Sequence, residues 1–99
     1  MRKIDELTAK FFLAKSPFKT NNTQVKVTGG QAQLYLHGHL IATLSGKMLS
    51  ICLAGFTTQT TCARLNALPN VSIKIKNGKV YNNGEEINPH QWYSTVIDK

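Results

Sequence analysis

The sequence predicts an α+β domain: an N-terminal helix, a four-stranded antiparallel meander, one central helix and a C-terminal β-hairpin. Three observations carry that expectation. Apolar residues recur at helical spacing in two stretches, 4–14 and 57–68. From residue 23 to residue 54 the period drops to two. After the second helical stretch, an Asn-Gly pair separates two alternating runs, a strong hairpin signal. Ninety-nine residues are expected to form one domain, 1–99, with no room for a second core.

In the first stretch Ile4, Leu7, Phe11 and Ala14 share a face, with Phe12 beside them. Asp5 and Glu6 fall in the first turn, where negative charge suits the helix dipole, and Lys15 falls in the last. Pro17 stops the helix, and Asn21-Asn22 supplies turn residues. Val25 and Val27 then alternate with Lys26 up to Gly29-Gly30. Ala32, Leu34 and Leu36 alternate with Gln33, Tyr35 and His37, and two further strands follow, divided at Ser45-Gly46. A sheet of this kind needs a helix over its apolar face, and the two helical stretches are the candidates.

Thr57 or Thr58 is the natural N-cap of the central helix, and Pro69-Asn70 ends it. Cys62, Leu65 and Leu68 form its expected buried stripe. Thr57, Thr60, Thr61 and Arg64 share the opposite side at i, i+3, i+4 and i+7. Val71, Ile73 and Ile75 next alternate with Ser72, Lys74 and Lys76, and Asn77-Gly78 is a type I′ turn pair. Residues 85–99 read as either helix or strand, anchored by Trp92, Tyr93 and Val96.

An apolar content of 41% excludes the disordered class. No run approaches the ~18 apolar residues of a membrane-spanning helix. The opening MRKIDELTAKFFLAK is basic, but Asp5 and Glu6 interrupt it, and it is expected to belong to the mature domain. Cys52 and Cys62 read as small buried hydrophobes rather than a disulfide, which points to the cytoplasm.

The net charge of +7 is unevenly laid out. The 78 residues between Glu6 and Glu85 hold no acid, and they carry Lys10, Lys15, Lys19, Lys26, Lys47, Arg64, Lys74, Lys76 and Lys79. Such a surface attracts polyanions or an acidic protein. The same lysines also suit the solvated face of a half-buried strand, where they discourage edge pairing.

The chemistry-bearing residue types form no complete catalytic or metal motif. His37 and His39 flank Gly38, and only His90 or a cysteine could bring a metal site to the three or four ligands it needs. There is no G-x-S-x-G elbow and no P-loop, and Glu85-Glu86 are adjacent and so point apart. No enzyme, cofactor or metal is expected. A phosphate-contacting set is better supplied. Lys74, Lys76 and Lys79 cluster on the hairpin near Tyr81, and a two-stranded ribbon fits the DNA major groove. Thr57, Thr58, Thr60 and Thr61 open a helix with Arg64 one turn on, and Lys47 adds a further cation. Capping alone would also account for the threonines.

LYLHGHLIA, followed by GFTTQTTCARLNALPNVSIKIKNGKVYNNG, resembles a family of small, functionally uncharacterised proteins of tailed bacteriophages. The family pattern runs NTxV, LxLHGNxIA, GWxTxTTxxRLNAL and a short closing hairpin. The matching residues are Asn22, Thr23 and Val25, then Leu34 to Ala42, then Gly55 to Leu68. His39 stands for the usual Asn and Phe56 for the usual Trp. The resemblance implies a phage setting and no mechanism. The expectation is a non-enzymatic accessory protein, monomeric or homodimeric and not membrane-bound, that contacts DNA or RNA phosphates through its cationic face. The alternative is a protein–protein inhibitor docking the same face on an acidic host factor.

Overall fold

A computed structural model describes residues 3–97. Met1 and Arg2, which begin the targeting-like stretch, and Asp98 and Lys99 of the ambiguous C-terminal stretch, lie outside the described residues. Helix α1 (Lys3–Leu13) is followed by strands β1 (Phe18–Lys19), β2 (Thr23–Thr28), β3 (Gln31–Leu36), β4 (His39–Ser45) and β5 (Met48–Ile51). Helix α2 (Gln59–Asn66) comes next. Strands β6 (Ile73–Lys76), β7 (Lys79–Asn82), β8 (Glu85–Ile87) and β9 (Tyr93–Val96) complete the chain.

The expected α+β class is overturned. Among the described residues the protein is mostly β, with nine strands in two sheets and two helices. The larger sheet has six strands in the order β1-β2-β3-β4-β5-β9, all antiparallel, and the smaller has the order β6-β7-β8. The meander is therefore the middle of a wider sheet, and the hairpin is two-thirds of a three-stranded one. Three strands escaped the pattern for a physical reason. β1 is two residues long, β8 is Glu-Glu-Ile, and β9 is Tyr-Ser-Thr-Val, so none carries an alternating apolar run. Their pairing comes from neighbours, and β9 finds β5 across more than forty residues of chain.

Register puts Val25, Leu34, Ala42 and Ile51 in one row, and Ala32, Leu44 and Leu49 in the next. These side chains are buried, α1 packs over β2 and β3, and one contiguous apolar cluster joins them to Ile73, Val80 and Ile87 of the smaller sheet. The opposite face of the large sheet is polar, with rows such as Lys26, Gln33, Thr43, Ser50 and Ser94. One face dry and one wet is the usual arrangement of an antiparallel sheet. Leu34 pairs with Ala42 and Tyr35 with Leu40, which leaves Ile41 as a bulge residue whose carbonyl accepts from the Cys52 N–H at 2.9 Å.

Helix α1 turns away from the face its apolar residues suggest, whereas α2 buries Leu65 and Leu68 as expected but adds Thr61 and Arg64 to that face. On α1 the buried residues are Asp5, Thr8, Ala9 and Phe12, not Ile4, Leu7, Phe11 and Ala14. On α2 they are Thr61, Arg64 and Leu65, with Leu68 just beyond, while Cys62 is only half-buried. The cause is polar. The Arg64 guanidinium pairs with Asp5 through Nη1, and its Nε donates to Thr23 Oγ1 at 3.2 Å. Side chains of Arg64 and Asp5 are 4% and 2% exposed, so this is a true interior ion pair. It ties α1, α2 and β2 at one point. Phe11, left outside the stripe, stacks on Phe18 with ring centroids 4.8 Å apart.

Removing one partner of such a pair strands the other charge in the interior. Asp5→Ala is therefore expected to lower the unfolding free energy by about 3–5 kcal/mol, read from the midpoint of guanidinium chloride denaturation. A loss below about 1 kcal/mol, the range of exposed pairs, would show that the helices are held by something else.

Candidate functional site

The smaller sheet carries a cluster of lysines, Lys74, Lys76 and Lys79. Asn77 and Gly78 both adopt positive φ, 53° and 77°, the conformation of a type I′ turn, and they close β6 and β7 into a two-residue hairpin. Register sets Lys74 opposite Tyr81 and Lys76 opposite Lys79. Directly paired residues share a face, so three ammonium groups and one phenol ring lie together on one side of the ribbon. Ile73 and Val80, on the other side, are buried. Ile75, also on that inner side, is 42% exposed, which shows that the ribbon tip projects past the core.

A second turn at Asn83-Gly84, with φ of 53° and 85°, brings in β8 and sets Glu86 opposite Tyr81. The face is therefore not purely cationic, as the spacing of acids along the chain suggested. Its positive end is the tip, with Lys76 and Lys79, and its acid lies two strands from Lys74. Asparagines hold the ribbon in place. The Asn66 side-chain amide donates to the Ile73 carbonyl at 3.1 Å and accepts from the Ile73 N–H, acting as one more strand partner. Asn83 donates to the Asn70 carbonyl at 2.9 Å, and Asn70 in turn donates to the Val96 carbonyl of the larger sheet at 3.3 Å.

The threonine–arginine helix start is a different kind of object. Arg64 was expected on an exposed face with Thr57, Thr60 and Thr61, but both Arg64 and Thr61 are interior. Thr58 is the N-cap: its hydroxyl accepts from the Thr61 N–H at 3.2 Å, and the two hydroxyls lie 3.0 Å apart. Thr57 is exposed and Thr60 half-buried. Arg64 and the lysine ribbon therefore do not face the same way. Lys47 is exposed in the β4–β5 turn of the other sheet, where its carbonyl accepts from the Ile97 N–H at 2.8 Å. The predicted contact set is thus divided, with Lys74, Lys76 and Lys79 together and the remainder elsewhere.

Sequence reasoning missed two clefts beside the β3–β4 turn, where His37 and Gly38 both have positive φ, 52° and 80°. One, of about 240 Å³, is lined by Leu36, Ile41 and Phe56 with His37, His39 and threonines of α2. Its His39 and Phe56 rings are tilted by 46° with centroids 4.6 Å apart. The other, of about 260 Å³, is lined by Lys19, Lys26, Tyr35, His37 and the 20–24 segment. Neither could be read from spacing, because the residues come from four strands, helix α2 and the segments that connect them.

Among the described residues no three His, Cys, Asp or Glu side chains gather as metal ligands, and no helix is long and apolar enough to cross a membrane. Both cysteines are free thiols; Cys52 is buried, and burial pushes the Cys62 thiol pKa up, which disfavours the nucleophilic thiolate.

Comparison with known proteins returns a family model described as the Kyanoviridae Gp96 protein, which matches residues 1–98. No curated protein and no solved structure matches the chain.

Capping and phosphate binding at Thr58 are separable. Aspartate caps as well as threonine, whereas alanine costs about 1 kcal/mol. Thr58→Asp is expected to keep the thermal midpoint and to leave polyanion binding at the ribbon intact, while Thr58→Ala lowers the midpoint. Loss of polyanion binding by the aspartate variant with unchanged melting would instead place the anion at the helix start.

Proposed function

The chain belongs to the Kyanoviridae Gp96 family, a phage protein family, and from that premise we propose that it is a non-enzymatic accessory protein that binds nucleic acid through the β6–β7 ribbon. It acts in the host cytoplasm. The observation that supports this is the register that gathers Lys74, Lys76, Lys79 and Tyr81 on one face of a projecting ribbon. Lysine ammonium groups on flexible stems contact phosphates as point charges and read little sequence. A ribbon of two strands has the width to enter a major groove. Arg64 contributes by holding α2, and through α2 and Asn66 the base of the ribbon, rather than by touching phosphate.

The resemblance to the phage pattern sharpens the division of labour. The NT and RLN segments of that pattern correspond here to residues that build the frame: Thr23 meets Arg64, and Asn66 brackets Ile73. The two departures from it, His39 and Phe56, touch one another.

An acidic host protein is the second reading, favoured by the exposed Ile75 at the lysine ribbon, an apolar contact that DNA phosphates would not use. Anisotropy titrations of duplex DNA, single-stranded DNA and RNA across a salt series separate the two. Log affinity for duplex should fall with log salt at about −0.9 per phosphate contacted, and the triple variant Lys74→Ala, Lys76→Ala, Lys79→Ala should flatten that slope by about 2–3 units. Absence of binding to all three at low salt, with a host protein retained from nuclease-treated lysate, sinks the nucleic-acid reading.

A further inference from the structure

The cleft of about 260 Å³ beside the β3–β4 turn opens on the polar face of the large sheet, and register gathers its charges. Lys19, Gln24 and Tyr35 stand in one row across β1, β2 and β3, and Lys26 is in the next row on the same face. Lys19 and Lys26 are thus diagonal neighbours, about 7–8 Å apart at the backbone. The Lys26 Nζ lies 5.0 Å from the centroid of the Tyr35 ring, a cation–π contact that holds the ammonium over this face. Among the described residues no carboxylate and no guanidinium lines the cleft. Two like charges therefore repel one another there with no acid between them.

A neutral donor beside them is fixed from the interior. The Arg64 Nε donates to Thr23 Oγ1 at 3.2 Å, and the Thr23 hydroxyl in turn donates to Asn22 Oδ1 at 2.9 Å. A hydroxyl that accepts from a guanidinium is polarised into a stronger donor, so the buried ion pair sets the orientation of the Asn22 amide. With its Oδ1 engaged, Asn22 has its Nδ2 group left for the cleft that it lines. The Asn22 carbonyl accepts from the His37 N–H at 2.7 Å, which ties together the two turns that flank the cleft. The donors are in place before a ligand arrives, which lowers the cost of binding one.

We propose that this cleft is a site for a phosphate monoester, held by Lys19, Lys26 and the Asn22 amide. The class of ligand follows from charge and shape. A phosphate monoester carries a charge of about −1.5 to −2 near neutral pH, which two ammonium groups neutralise. A carboxylate carries a single charge on a planar fork that arginine matches best, whereas lysine meets phosphate as a point charge. A backbone phosphodiester also carries a single charge, so this cleft selects a different group from the one the lysine ribbon meets. The site uses none of the residues of the ribbon, and it stands or falls independently of it. The monoester is either that of a free small molecule or the 5′-terminal phosphate of a nucleic-acid strand, the group being common to both.

The test is NMR titration of the full chain with inorganic phosphate, beside anisotropy of a labelled octanucleotide bearing or lacking a 5′-phosphate. Phosphate should shift the Asn22 side-chain amide and the His37 N–H saturably, while acetate at equal ionic strength shifts neither. The backbone amides of Lys74, Lys76 and Lys79 should stay in place. Lys19→Gln and Lys26→Gln should each weaken phosphate about tenfold, whereas Lys47→Gln, at an exposed cation of the β4–β5 turn, should leave it unchanged. Asn22→Asp keeps the oxygen that the Thr23 hydroxyl needs and sets a carboxylate in the cleft, so it should abolish phosphate binding without moving the melting curve. Lys19 and Lys26 are exposed, so their variants should melt with the parent and carry the test if Asn22→Asp does not fold. Tighter binding of the 5′-phosphorylated octanucleotide, lost in the Lys19 and Lys26 variants, identifies a strand end as the source. Phosphate binding with no difference between the two octanucleotides identifies a free phosphorylated molecule. Equal shifts with acetate, or equal weakening by Lys47→Gln, would reduce the effect to the general field of a basic protein and overturn the site. No saturable response to phosphate overturns it outright, while the duplex salt series still decides the ribbon.

Discussion

The interior ion pair of Arg64 and Asp5 is the constraint on which the rest of this structure depends. Burying two charges is expensive, and it is tolerated only where each finds the other with good geometry and further hydrogen bonds. Thr23 supplies one of those bonds, so helix α1, helix α2 and strand β2 are pinned together. Both helices turn toward the interior the face that carries the pair. Residues 5, 8, 9 and 12 face inward on one, and 61, 64, 65 and 68 on the other. The spacing is the same in each helix, with the charged residue leading on α1 and sitting one turn in on α2.

That pair also redistributes function over the surface. A cation that looked available for phosphate is used inside, and the threonines in front of it cap their own helix. What remains outside is organised by strands. The ribbon lysines are aligned by the register of β6 with β7, and Lys19 and Lys26 by the register of β1 with β2 and β3. Asparagine amides at 66, 70 and 83 fasten the smaller sheet to α2 and to β9, so the ribbon tip projects from a fixed base. An uncharged amide can bridge backbone groups at an exposed junction without the desolvation that a charge would bring.

Legibility in the sequence followed the length of each local signal. Val25 to Val27, Ala32 to Leu36 and Ile73 to Ile75 alternate over enough residues to mark strands, and Asn77-Gly78 specifies its turn because both residues tolerate positive φ. β1, β8 and β9 offered two to four residues with no alternation, and they exist because a neighbouring strand presents unpaired N–H and C=O groups. The inward face of α1 was misplaced by one position, and Thr61 and Arg64 of α2 were set outside although Leu65 and Leu68 are buried as expected, because hydropathy assigns Asp5 and Arg64 to water. Only when the two charges are seen to meet does their burial follow. The clefts at His37 were invisible for a similar reason, as Phe56 and His39 are seventeen positions apart and touch only after the chain has folded back.

The sequence by itself determined the local grammar of this protein: where helices begin and stop, which turns are two residues long, and that the middle of the chain is cationic. These depend on backbone preferences and on side-chain type within a few neighbours. Tertiary structure alone decided the mostly-β architecture, which charges are inside, and which lysines stand together. Strand pairing and ion pairing join residues far apart along the chain, and their energy depends on a dielectric environment that exists only once the core has formed.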